Sequence, residues 1–171
     1  RKAYKVLMKG LHRLEYRGYD SAGIALMKEN GTLNVYKSKG KVADLEAKAT
    51  GQEVDGTIGI AHTRWATHGE PNEKNAHPQV SESGRIALVH NGTIENYAVL
   101  KKALAQHGYV FSSDTDTEVL VQLIDYIQTT NGCRLIDAIK EALKQVEGAY
   151  AIAVMERGNP NTLIAARNAC S

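Results

Sequence analysis

The sequence predicts an α+β fold in which antiparallel sheets are layered with helices. Strand-forming runs come in adjacent pairs near both ends, at 22–27 with 32–36 and at 149–155 with 162–166. Tight turn signals, Glu29-Asn30-Gly31 and Gly158-Asn159-Pro160, join the members of each pair, so the partners run antiparallel. Between the pairs, two helical patterns follow one another directly, whereas a parallel sheet would alternate helix and strand.

The first element is an amphipathic helix. Val6, Leu7, Gly10, Leu11 and Leu14 share one face at spacings of three and four, and the pattern runs to about Arg17, where Gly18 offers a left-handed stop. Residues 22–27 read as a buried strand and 32–36 as its alternating return. A short helix follows at 42–49, then a polar link through Gly51 and Gly56, then a strand at 57–61. The segment 62–79 holds Pro71 and Pro78 and no clear period. Its wealth of His, Arg, Trp, Thr and Asn is the composition of a site rather than of a linker. Residues 85–90 are a strongly β-prone run ending in Asn91-Gly92, and a helix follows from about 94 to 106 with Leu100 and Leu104 one turn apart. A brief strand at Val110-Phe111 and a turn at 112–115 lead into a helix that turns Val119, Leu120, Leu123, Ile124 and Ile127 inward. A further helix spans roughly 135–146 and breaks at Gly148 before the closing strand pair.

With 171 residues, 43% hydrophobic and 23% charged, the chain suits one globular domain with a core of its own. Lys and Arg number 21 against 19 Asp and Glu, a net charge of +2 that gives no basis for nucleic acid or anionic membrane as partner. The longest apolar runs are too short to span a bilayer, no secretory signal opens the chain, and two cysteines make no disulfide framework. A soluble, cytoplasmic protein is expected. The chain starts without Met inside a helix and stops at Ala169-Cys170-Ser171 just after a strand, so we expect an internal piece of a longer polypeptide.

No phosphate-binding glycine motif is present. His62, His68, His77 and His90, with Glu70, lie close enough in sequence to be imagined as a metal set. No HExxH or paired-cysteine spacing supports that, and strand histidines such as His62 and His90 are more often hydrogen-bonded core residues, so no metal is expected. Three segments carry chemistry instead. In Leu14-Glu15-Tyr16-Arg17-Gly18-Tyr19-Asp20-Ser21-Ala22-Gly23, Arg17 and Asp20 can form a scaffold pair, or be no more than a helix stop and an Asp turn. In 62–69, Arg64 at a strand end offers a planar fork for a carboxylate and Trp65 a cover for a small ligand. A surface arginine beside a tryptophan core plug fits equally well. In Val89-His90-Asn91-Gly92, one amide side chain and one backbone N–H can together stabilise an oxyanion, although Asn-Gly is also a common turn dipeptide. Asp116 can be a helix N-cap, or with Arg64 can hold the two charged groups of an α-amino acid.

Taken together, these segments with Asn75-Ala76-His77-Pro78 and Thr115-Asp116-Thr117-Glu118 closely resemble the N-terminal glutaminase domain of the isomerising glutamine–fructose-6-phosphate aminotransferases, or glucosamine-6-phosphate synthases. These are class-II amidotransferases. The resemblance runs in order along essentially the whole of 1–171 and implies an Ntn-hydrolase αββα sandwich of two mainly antiparallel sheets with helices on the outer faces, incomplete at both ends. It implies that an N-terminal cysteine attacks the side-chain amide of L-glutamine, with its own α-amine as base. By the same resemblance Asn91 and Gly92 form the oxyanion hole, Arg64 binds the α-carboxylate and Asp116 the α-amino group. Thr67, His68 and His77 line the pocket, Trp65 gates the ammonia and Arg17 supports the nucleophile's surroundings. No cofactor is implied. The ammonia would serve fructose 6-phosphate in a separate isomerase domain, in a full-length homodimer.

The resemblance places the nucleophilic cysteine and its short strand before Arg1, and the closing part of the domain after Ser171. Cys133 and Cys170 lack a free α-amine, so this stretch alone is expected to be inactive. Three alternatives stay open: another N-terminal-cysteine amidotransferase, a non-catalytic glutamine-binding module, and a histidine-ligated metal hydrolase.

Overall fold

The computed structural model describes residues 2–17, 19–65 and 69–169, the side chains of Lys2 and Arg17 excepted. Helix α1 (Lys2–Leu14), prolonged by a 3-10 turn (Glu15–Arg17), leads to β1 (Ser21–Met27), β2 (Leu33–Lys39), α2 (Val42–Ala49) and β3 (Ile58–Arg64). After the loop come β4 (Gln79–Val80), β5 (Ile86–Gly92), α3 (Tyr97–Gln106), α4 (Asp116–Asn131), α5 (Leu135–Gln145), β6 (Tyr150–Glu156) and β7 (Ile164–Asn168). The strands form two antiparallel sheets, ordered β2-β1-β3 and β4-β5-β6-β7.

Side-chain alternation along the strands builds the layers. On β1, Ala22, Ile24 and Leu26 face outward against Met8 and Leu11 of α1 and Val42 and Leu45 of α2. Ala25 and Met27, on its other face, meet Ile60 of β3, Ala87 of β5 and Met155 of β6 between the sheets. Burial on both faces explains why β1 reads as a continuous apolar run. In the second sheet, Ile86, Leu88, Ile152 and Val154 turn outward against α3, α4 and α5 through Leu104, Leu120, Ile124 and Ile139. The result is the α+β arrangement expected from sequence, helices outside and two sheets within.

Two local expectations are corrected and one alternative is decided. Val110-Phe111 forms no strand: neither sheet offers it a partner edge, Val110 is exposed, and Phe111 packs on the helical layer under Lys101. Helix α3 starts at Tyr97 rather than near 94; the preceding segment is tied instead to other elements, the Ile94 N–H to the Asp116 carboxylate and the Glu95 N–H to the Glu147 carbonyl. Asn91-Gly92, for which a turn was the alternative, is the last step of β5, paired with Ala151 and Tyr150, as the run ending in Asn-Gly leads one to expect. Among the described residues no helix is long and apolar enough to cross a membrane.

Candidate active site

The two-residue period of the strands carries polar groups into the space between the sheets. Ile58 and Ile60 of β3 face the second sheet, so His62 and Arg64 point the same way. Ala87 and Val89 of β5 face the first sheet, and Asn91 continues that side. The two series meet where His62 Nε2 lies 2.7 Å from Asn91 Oδ1. A cleft of about 560 Å³ opens there, lined among others by Arg64, Trp65, His77, Asn91, Gly92 and Asp116.

The direction of the Gly92 N–H follows from strand register. Arg157 N–H donates to the Arg85 carbonyl and Thr93 N–H to the Ala149 carbonyl, so the alternation of an antiparallel ladder turns the His90 and Gly92 N–H groups away from β6. That of His90 is taken by His77 Nδ1 at 3.4 Å. That of Gly92, one step further along the same edge, belongs to a residue that lines the cleft. Gly92 has φ +116°, and a Cβ there would strike the Ala149 carbonyl oxygen, so only glycine closes this strand.

Asp116 is the first residue of α4, not its cap. Thr115 caps the helix, its Oγ1 accepting from the Glu118 N–H, while Asp116 Oδ2 accepts from Ile94 N–H at 2.8 Å. The Glu118 carboxylate accepts from the N–H groups of Ser112 and Ser113 and fixes the loop before the helix. Arg64 is only 4% exposed, which excludes a surface arginine; its Nη1 lies 3.7 Å from Asp20 Oδ1 and donates to the Glu70 carbonyl at 3.4 Å. Burial pushes the Arg64 pKa down while the charges of Asp20 and Asp116 push it up, so both carboxylates stand close enough to be felt.

Three imidazoles form a stack in the wall of the cleft. The rings of His62 and His77 lie 4.2 Å apart and those of His77 and His90 6.5 Å apart, with interplanar angles of 23° and 9°. His90 Nδ1 is 2.9 Å from Thr117 Oγ1. Burial, aided by the neighbouring imidazoles and Arg64, lowers the His62 pKa to about 4 and holds that of His77 well below its usual value. Among the described residues no group of His, Cys, Asp or Glu side chains is disposed to hold a metal ion.

Arg64, Trp65, His77, Asn91, Gly92 and Asp116 thus share one cleft. Trp65 is 69% exposed and therefore no core plug. Thr67, His68 and the Arg17 side chain lie outside the described residues, as does Cys170. Asp20, considered above as a partner for Arg17, is paired with Arg64. Cys133 packs against the helical core, away from the cleft lining. Sequence reasoning set His62 and His90 aside as core residues. Their signal was positional: each sits next to a named site residue on an inward-running strand, two before Arg64 and one before Asn91.

Residues 62–171 match the model of a family described as a glutamine amidotransferase domain. The chain is 62% identical over 167 residues to the isomerizing glutamine–fructose-6-phosphate aminotransferase of Bacteroides thetaiotaomicron, covering 98% of this chain and 27% of that protein. To the protein of the same description from Chlorobaculum tepidum it is 52% identical over 171 residues, covering 98% and 28%. The chain therefore spans about a quarter of the length of these relatives. Among solved structures, a glutamine phosphoribosylpyrophosphate amidotransferase from B. subtilis, complexed with ADP and GMP, matches with TM-score 0.79 and 32% identity over 96% of this chain and 34% of that one. A glutamine aminotransferase class-II domain protein from Silicibacter pomeroyi shares the fold, with TM-score 0.62 at 19% identity over 88% of this chain and 70% of its own. The architecture is that of the Ntn amidotransferases.

Proposed function

Because the chain belongs to the glutamine amidotransferase domain family, we propose that its cleft binds L-glutamine and releases the side-chain nitrogen as ammonia. One observation carries this reading. A buried arginine and a carboxylate at a helix start line the same cleft as Asn91 and Gly92, whose N–H is turned away from β6. Arg64 receives the α-carboxylate, Asp116 the α-ammonium, and the side-chain carbonyl of glutamine lies against Asn91 and Gly92. His77, Thr67 and His68 complete the pocket wall, and Trp65 covers the exit.

The attacking group is a cysteine thiolate preceding Arg1, near the region of Arg17. Its sulfur adds to the amide carbon, and the oxygen that becomes negative is held by Asn91 Nδ2 and the Gly92 N–H. The C–N bond then breaks, ammonia departs with a proton returned by the cysteine's α-amine, and water cleaves the thioester to give glutamate. In this reading 1–171 is the glutaminase part of a larger cytoplasmic, homodimeric protein. Its second active site joins the ammonia to fructose 6-phosphate to give glucosamine 6-phosphate, as the family resemblance implies; the relatives are named for glutamine and fructose 6-phosphate.

The test is glutamate release by the full-length protein. Arg64→Lys replaces a two-point fork by a point charge, so KM for glutamine rises by about 10–100-fold, the equivalent of about 1.5–3 kcal/mol for a charged hydrogen bond. An unchanged KM removes Arg64 from the carboxylate site.

A further inference from the structure

The Asn91 side chain has two nearly isosteric orientations. One presents Nδ2 to the reacting carbonyl, while the other presents Oδ1, which would repel the developing negative charge. Backbone geometry does not choose between them, because the swap is a rotation about the last side-chain bond. The choice is made across the sandwich by His62.

Resting on the reading of Asn91 as an oxyanion donor, we propose that His62 is the positioning residue that aims this amide, by donating from Nε2 to Asn91 Oδ1. The two atoms are 2.7 Å apart, on facing strands of different sheets. An amide oxygen can only accept, so in this pair the single proton of the neutral ring sits on Nε2. Burial opposes charging of the ring most strongly and outweighs the hydrogen bonds to Asn91 and the His90 backbone that favour it. A ring with its proton on Nε2 can only donate to an oxygen there, and this turns Nδ2 of Asn91 away from His62 toward the cleft. The ring itself is held flat against His77, whose Nδ1 takes the N–H of His90, and His90 is tied to Thr117 on α4. The orientation of the amide is therefore set by a chain of contacts reaching the helix that begins with Asp116.

The experiment compares His62→Gln, which offers an N–H near the position of Nε2, with His62→Met, of similar length but without a donor. Both are made in the full-length protein, alone and with Asn91→Ala, and glutamate release and thermal stability are measured. His62→Met is expected to lower kcat by about 10–100-fold with KM for glutamine within about threefold, and His62→Gln to recover most of that loss. In the Asn91→Ala background, His62→Met is expected to cost less than about twofold, because the amide it aims is gone. A His62→Met enzyme with normal kcat, or one that loses the same factor without Asn91, overturns the inference while leaving the site reading intact. Normal kcat in Asn91→Ala alone overturns the site reading itself. Should the Met variant fail to fold, ¹⁵N-histidine NMR of the unmodified protein decides: a proton on Nε2 of His62 supports the proposal, and one on Nδ1 overturns it.

Discussion

His62 stays neutral because folding takes most of the ring out of water, with Arg64 and His90 nearby acting in the same direction through their charges, and this has a consequence for stability. Its folded pKa of about 4 lies below the 6.5 of an exposed imidazole, so between those values the unfolded chain binds the extra proton. Stability therefore rises with pH through this window and is lost as pH falls from about 6.5 to about 4. His62 alone contributes on the order of 3 kcal/mol of that loss, and His77 acts in the same direction. Denaturant unfolding at a series of pH values is expected to show proton uptake on unfolding that His62→Gln reduces by nearly one proton near pH 5. Identical slopes for the two proteins would contradict the assignment. Arg64, Asn91 and Asp116 each had an ordinary reading in the sequence, as a surface arginine, a turn and a helix cap, and it is the fold that brings all three to one cleft. His62 was not legible, since a strand histidine is ambiguous until its facing strand is known; only the 2.7 Å contact with Asn91 gives it a task.

Elements were legible where their own pattern defines them and blurred where a neighbour does. Helix α2 lies at Val42–Ala49, as its sequence states, whereas β3 and β5 run several residues beyond their apolar runs. Strand length is a property of the pair: Arg64 is drawn into β3 by Ser21, and Gly92 into β5 by Tyr150. The loop after β3 is seated on β1 at Gly23, where an added Cβ would collide with the carbonyl of His77. Gly23→Ala is thus expected to push that loop away, lowering stability by about 1–3 kcal/mol, as overpacking generally does, and raising KM for glutamine because His77 moves with it. Calorimetry and steady-state kinetics check both; a variant with normal Tm and KM would show that the loop does not depend on this contact. Within the loop Gln79 Nε2 donates to the carbonyls of Lys74 and Ala76, while its tie to the rest of the fold, the Asp114 N–H donating to Asn75 Oδ1, spans 39 residues that no local pattern connects.

Across the whole molecule, the site exists because two sheets press together with an apolar layer along most of their length and a polar one at one end. Ala25, Met27, Ile60, Ala87 and Met155 form the dry part, and His62, Arg64 and Asn91 continue the same inward faces into the cleft. The fold class was legible from strand pairing, but the stacking of the sheets was not, because the inward and outward faces of β1 are equally apolar. Met27→Ala empties the centre of the inter-sheet layer and is expected to cost about 2–5 kcal/mol in denaturant unfolding. A cost below 1 kcal/mol would mean that the sheets are held together elsewhere.

The most direct measurement is a crystal structure of the full-length protein with L-glutamate, the product of the proposed hydrolysis, bound in the domain. The expected density puts the α-carboxylate on the Arg64 guanidinium, the α-ammonium on Asp116, and a side-chain oxygen within hydrogen-bond reach of both Asn91 Nδ2 and the Gly92 N–H. Glutamate bound elsewhere, or lying in this cleft with its α-carboxylate against Asn91 and Gly92, would contradict the account.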